Sequence, residues 1–249
     1  MRTAGVDLAT EPARTGLAVI EWGAGAARVT EVSVDGANRD IVRLALEVEL
    51  VGIDCAFGWP DEFVQFVTGH RAGSPLGAEA SGDRDWRRTL AYRATDRAVH
   101  ARTGRWPLSV ATDRLGLTAL RCAVLLDAVA AAGAPVDRSG APPSRVVEVY
   151  PAAALRCWGI RQAGYKNDVA RRAQVLDELL AAAPWLDIGA FREVMVATSD
   201  GLDAVLSALV AGFAFAGATD APPVEAHEAA SREGWIALPS AGLATSPLT

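Results

Sequence analysis

The sequence predicts an α/β fold, and three observations carry that prediction. The first 55 residues read as a β-β-β-α-β succession. Five further stretches of helical spacing follow residue 83. The composition, 51% apolar and 22% charged, is that of a chain able to bury a core.

Thr3 to Ala9 is a short apolar run containing one acid, Asp7. Thr15–Trp22 and Arg28–Val34 are rich in β-branched residues and flank Gly23-Ala24-Gly25, which predicts a hairpin. Asp35-Gly36 makes a second turn. Ile41, Leu44, Ala45 and Val48 recur at helical spacing and predict an amphipathic helix over 38–49. Leu50–Ile53 is again strand-like and ends at Asp54. Gly58-Trp59-Pro60 breaks that strand, and residues 69–83, rich in Gly, Ser and Ala, predict a mobile loop. Helices are expected over 84–102, 114–132, 152–158, 167–182 and 199–217, with a fifth strand at Val146–Val149 and a short strand over 234–238.

Several classes are excluded by counts alone. Cys55, Cys122 and Cys157 are scattered and odd in number, and His70, His100 and His227 show no ligand spacing, which argues against a disulfide framework and a structural zinc site. No run approaches ~18 apolar residues, so no membrane span is expected, and the absence of an apolar signal core predicts a cytoplasmic chain. A net charge of −6 disfavours a non-specific nucleic-acid coat. That charge is uneven: residues 84–105 carry seven arginines and two aspartates, a local +5.

An acid inside an apolar strand is costly to bury without a partner. Asp7 closes the first strand, Asp54 the fourth, and Glu148 lies in the fifth. If the first and fourth strands are parallel neighbours, both aspartates emerge at one carboxyl edge, where open α/β sheets build their sites. In the last helix Leu202, Val205, Leu206, Leu209, Val210 and Phe213 form a stripe, with Asp203 at its border and Asp200 beside it. Ordinary capping or helix-dipole roles also account for each acid taken singly. Converging carboxylates repel one another unless cations sit among them, and hard oxygen ligands select Mg²⁺ or Mn²⁺.

Gly5-Val6-Asp7-Leu8-Ala9, Gly52–Pro60, Tyr92-Arg93-Ala94-Thr95-Asp96, Glu148-Val149-Tyr150-Pro151-Ala152-Ala153, Ser199–Ala204 and Glu233-Gly234-Trp235-Ile236 together resemble the predicted RNase H-like nuclease family, a prokaryotic family of domains of unknown function. The resemblance spans nearly the whole chain. It implies one ribonuclease H-like domain over 1–249, with a mixed five-stranded sheet of order 3-2-1-4-5, strand 2 antiparallel, and a helical insertion or cap over 56–144. It further implies Asp7, Asp54 and Asp203 as metal ligands for Mg²⁺ or Mn²⁺, with Asp200 and Glu148 as additional catalytic candidates.

In the arginine-rich segment, Arg87, Arg88, Arg93 and Tyr92 are candidate substrate-binding residues, because guanidinium groups grip phosphate and aromatic rings stack bases. A solvated helix face with pairs such as Arg93–Asp96 explains the same residues equally well. Lys166, the only lysine, is a further candidate for a phosphate contact, and also fits an ordinary surface position. His70 and His100 are general-base candidates only if their segments fold over the site.

The expectation is therefore a metal-dependent phosphodiesterase or nuclease acting on nucleic acid or another phosphate-containing substrate. Two alternatives stand beside it. An actin-like phosphotransferase also begins with a strand-ending Asp, but needs a second hairpin unit and a Gly-rich phosphate loop. A non-catalytic binding module on the same fold would keep the acids without the chemistry.

Overall fold

The computed structural model describes residues 1–74 and 83–248; the central part of the loop expected over 69–83 lies outside them. Strands β1 (Arg2–Asp7), β2 (Gly16–Gly23) and β3 (Ala26–Val34) form an antiparallel meander. Helix α1 (Asn38–Glu47) returns the chain to β4 (Leu50–Asp54), which pairs with β1 in parallel. Helices α2 (Asp61–Arg71), α3 (Arg84–Ala91), α4 (Ala94–Thr103) and α5 (Gly116–Ala131) precede β5 (Val146–Glu148), parallel to β4. Helices α6 (Pro151–Cys157) and α7 (Val169–Ala182) lead to β6 (Leu186–Asp187), and α8 (Arg192–Ala197), α9 (Ser199–Phe215) and α10 (His227–Glu233) follow.

The sheet runs β5-β4-β1-β2-β3-β6, so it has six strands among the described residues where five were expected. The extra strand is two residues long and pairs beside Ala27 and Arg28 at the β3 edge, too short to leave a periodic signal. Other expectations need correction as well. The helix expected over 84–102 is two helices, because Tyr92 and Arg93 take extended backbone between them. Residues 234–238 form no strand of their own; Ile236 makes one parallel bridge to Glu148. Helices α2, α8 and α10 were not foreseen: α8 and α10 are short, and α2 buries no residue completely, so none carries a strong apolar stripe.

Side-chain alternation divides the core into two layers. Ala4, Val6, Leu17, Val19, Val51 and Ile53 face α1 and α5. Ala18, Ile20, Trp22 and Val29 face the other way, toward α7 and α9. Helix α9 is buried from Asp200 to Phe213, so its one-sided stripe is in fact a helix enclosed on all sides. No helix among the described residues is long and apolar enough to cross a membrane.

The approach of α9 to the sheet is close because three strands present glycine beneath it. A methyl group at Gly5 would overlap the Ala204 carbonyl oxygen and the Ala208 nitrogen, one at Gly52 the Ser207 carbonyl oxygen, and one at Gly16 the Asp200 carbonyl oxygen. Thr3 fastens the same contact, its Oγ1 donating to the Ala208 carbonyl at 2.9 Å while accepting from Trp22 Nε1 at 2.8 Å. These atoms are backbone and cannot move aside singly. Gly5→Ala is expected to destabilise the chain by about 3 kcal/mol or more, the upper range of overpacking costs, and denaturant unfolding would read it. Wild-type stability in that variant would refute the close contact.

Candidate metal centre

Asp7 and Asp54 are register partners in the parallel β1–β4 pair, so their carboxylates leave the sheet side by side at its carboxyl edge. Both lie two residues after a seat glycine, on the face that α9 covers. Helix α9 starts at a Thr198 cap, whose Oγ1 accepts from the Gly201 N–H at 3.1 Å, and its first turn then lowers Asp203 onto the pair. Asp7, Asp54 and Asp203 each offer an oxygen within 4.8 Å of the others.

Asp203 is wholly buried and has two named partners. The Tyr165 hydroxyl donates to Oδ1 at 2.6 Å, and Lys166 Nζ lies 2.9 Å from Oδ2 as an ion pair. Among the described residues that ion pair is the contact made by the buried Oδ2. Lys166 thus sits in the acid cluster, its side chain half exposed, rather than on an unrelated surface. Tyr165 was missed by sequence reasoning, and only its place beside Lys166 and the turn at Gly164 hinted at it.

Burial first, and carboxylate crowding second, are written into the acidities. Burial, then the Asp203 and Asp54 carboxylates, raise the Asp7 pKa well above the usual carboxylate range, with Lys166 opposing. Burial raises Asp54 to about 7, with Lys166 opposing and Asp203 and Glu148 adding. Burial works against the Lys166 ammonium, but Asp203, Asp54 and Asp7 outweigh it and hold the proton firmly. Three carboxylates and one ammonium leave a formal charge of −2. A hard divalent cation would match that charge and the all-oxygen donor set, each aspartate offering one oxygen.

Asp7 and Asp54 line a cavity of about 500 Å³, with Asp203 buried behind them. Pro107, Leu108, Leu115 and Thr118, from the segment between β4 and β5, wall one side, and Tyr150, Tyr165 and Lys166 another. The cavity is within the range of small-ligand sites.

The remaining candidates are held by other partners or lie outside the cavity. Asp200 accepts from Arg14 Nε at 3.2 Å and is not among the three converging ligands. Glu148 also lines the cavity but is bound by Arg93, whose Nη2 and Nη1 donate to its two oxygens at 2.7 and 2.9 Å, and by the Phe57 N–H at 3.0 Å. Arg93 gives its other N–H groups to Asp96 and to the Glu233 carbonyl, so all five donors are used and none is left for substrate. Arg87 and Arg88 lie on the exposed face of α3, Arg88 3.5 Å from Asp85. Tyr92 packs on Trp106, ring centroids 4.2 Å apart. His70 and His100 stack on Phe66 and Trp106 and do not line the cavity. The arginine-rich segment is therefore not a single phosphate-gripping face.

A family model described as "Protein of unknown function (DUF429)" matches residues 5–228. No curated protein and no solved structure matches the chain.

Two stability measurements follow. Arg93→Ala would leave Glu148 and Asp96 buried without their cation and is expected to cost about 3–5 kcal/mol in chemical denaturation; a loss below about 1 kcal/mol would contradict the network. The second concerns pH. The folded Asp54 value, about 7, lies above the ordinary 3.8, so its contribution to stability is whole below 3.8 and is lost as pH rises through 7. Without divalent cations, Asp54→Asn should melt close to wild type near pH 4 and above it near pH 8, by on the order of 1–3 kcal/mol. A gap independent of pH would exclude the raised Asp54 pKa.

Proposed function

The chain belongs to the DUF429 family, a family of unknown function, and we propose that its acid cluster is the centre of a metal-dependent phosphodiesterase acting on nucleic acid. The observation that carries this reading is the meeting of Asp7, Asp54 and Asp203 within 4.8 Å at one edge of the sheet, above which a cavity opens. The proposal extends to the fold. An antiparallel meander, a helix and a parallel strand beside β1 agree with a ribonuclease H-like ancestry, the sixth strand being an addition at the far edge.

Mg²⁺ or Mn²⁺ bound by Asp7, Asp54 and Asp203 supplies Lewis-acid stabilisation of charge developing on a phosphoryl oxygen. The chain's own groups do the positioning. Tyr165 and Lys166 hold the Asp203 carboxylate in place, so its orientation is set before substrate arrives. The half-exposed Lys166 ammonium supports a phosphate entering from the cavity side. Leu108, Leu115 and Ile236 give the cavity an apolar lining beside the acids. Asp200, capped by Arg14, borders the site and adds to the field that holds the Asp7 proton.

One observation favours a second reading. Lys166 already neutralises part of the cluster, as a binding module without catalysis would require.

The test supplies Mn²⁺ or Mg²⁺ with single-stranded, duplex, hybrid and branched nucleic acids. Cleavage is expected with at least one, and is expected to vanish in Asp7→Asn and Asp203→Asn. Melting is the companion measurement. At a cation concentration about 100-fold above the dissociation constant the wild type should gain about 2.7 kcal/mol, several degrees at this chain length, and Asp7→Asn should gain almost none. Stabilisation without cleavage of any substrate would favour the binding module; neither effect would reject the metal centre.

A further inference from the structure

A second cavity, of about 330 Å³, adjoins the acid cavity and shares Tyr150, Ala152 and Gln162 with it. Its character is opposite. Arg105, from the segment after α4, and Arg156, on α6, both line it, with Trp106 as a wall. Trp106 is held between neighbours, stacked on His100 with centroids 4.1 Å apart and tilted against Tyr92 at 4.2 Å. Among the described residues neither Arg105 nor Arg156 has a carboxylate within ion-pair distance, whereas Arg102, on the same stretch of chain, is paired with Asp220. Arg156 has a neutral partner instead. With the Gln162 amide turned so that its oxygen faces the guanidinium, that oxygen accepts from Arg156 Nη2 at 3.0 Å and from Nε. The contact orients the guanidinium and leaves its charge uncompensated. Two arginines without an acidic partner on one concave surface give it a positive charge of the kind that phosphate recognition uses.

From these observations we propose that the Arg105–Arg156 pocket binds a phosphate group of the substrate next to the one at the acid cluster. The substrate is then a molecule with at least two phosphates in tandem, as in a nucleic-acid strand, threaded past Tyr150 from a basic subsite to an acidic one. This inference rests on the phosphodiesterase reading of the acid cluster. It explains why the arginines near the site that matter are these two, and not the α3 arginines or the saturated Arg93.

The two subsites differ in their need for metal, and the experiment uses that difference. In EDTA the acid cluster repels phosphate, so binding under those conditions reports the basic pocket. Calorimetric titration of the full chain in EDTA with inorganic phosphate, and separately with a short single-stranded oligonucleotide, is expected to show saturable binding that weakens as salt is raised. The double variant Arg105→Ala/Arg156→Ala is expected to bind each probe at least tenfold more weakly. Arg87→Ala/Arg88→Ala, on the exposed face of α3, is the control and is expected to bind as wild type does. A melting curve for each variant excludes misfolding as the cause, and Arg156→Lys gives an independent, gentler change that should weaken binding without removing it.

No measurable binding in the wild type, or equal binding in the wild type and the double variant, overturns the proposal. Its failure is distinguishable from that of the parent reading. Metal-dependent cleavage that persists unchanged in the double variant removes the subsite and keeps the phosphodiesterase. Arginine-dependent phosphate binding with no cleavage keeps the pocket and removes the activity.

Discussion

The contact on which this molecule depends is backbone against backbone, between α9 and the strands beneath it. A helix normally stands off a sheet by the depth of two side-chain layers. Here Gly5, Gly16 and Gly52 remove one of those layers, so the carbonyls of Asp200, Ala204 and Ser207 rest on the sheet itself. The closeness places Asp203 between two strand-end aspartates rather than above them. It also makes α9 the most enclosed helix of the chain, which leaves Asp203 without water and in need of Tyr165 and Lys166. The raised pKa values of the cluster and its crowding of carboxylates descend from that one steric fact.

Around this centre the polar groups sort into two sets with opposite purposes. The aspartates are left under-compensated, which is destabilising and therefore useful only if something binds. Arg93, Asp96, Glu148 and Glu233 are matched almost to completion, donor for acceptor. Matched buried ions contribute little to net stability, but removal of one member is costly, so such a set fixes a geometry rather than deepening an energy well. Its location explains what it fixes. Arg93 begins the α4 end of the cavity wall, and Glu148 ends β5 next to the aspartates. The tight set holds the frame in which the strained set works.

Much of the centre was legible in the residues, because its geometry is local to regular elements. The residues put Asp7 and Asp54 at strand ends, and the strand order that the family resemblance implied made those ends neighbours. Helical spacing put Asp200 and Asp203 together, and the resemblance singled out Asp203. The arginines stayed undecided between a phosphate contact and helix-face pairs such as Arg93–Asp96, and of these the pair is present. Arg93 looks like any other basic residue until Glu148 and the Glu233 carbonyl, 55 and 140 residues away, are brought to it. Nothing in a linear pattern distinguishes a saturated guanidinium from an idle one. Tyr165 contributes a single hydroxyl through a turn and has no periodicity to betray it. The short elements were lost similarly: β6 is too brief for alternation, and α2 has no fully buried face. The Tyr92–Asp96 and Glu233–Ile236 segments were noticed as motifs, yet their reason emerged only in three dimensions. Thr95 Oγ1 accepts from the Ile236 N–H at 2.8 Å, and the Gly234 backbone, at φ +92°, leaves no room for a side chain beside Glu148.

Glu233 has a consequence for the order in which the molecule is made. One of its oxygens accepts from the Asp61 N–H at 2.8 Å and the other from the Ala94 N–H at 2.7 Å, so a single carboxylate closes the amino ends of both α2 and α4. These bonds join residues 172 and 139 positions apart in the chain. Contacts of such sequence separation form late, because loop closure must precede any reward from them. During synthesis the meander and β4 can pair early, bringing Asp7 and Asp54 together, while the cavity wall waits for a residue close to the other terminus. A chain cut just before Glu233 would keep every acid of the cluster and lose the clasp that gives the cavity its shape.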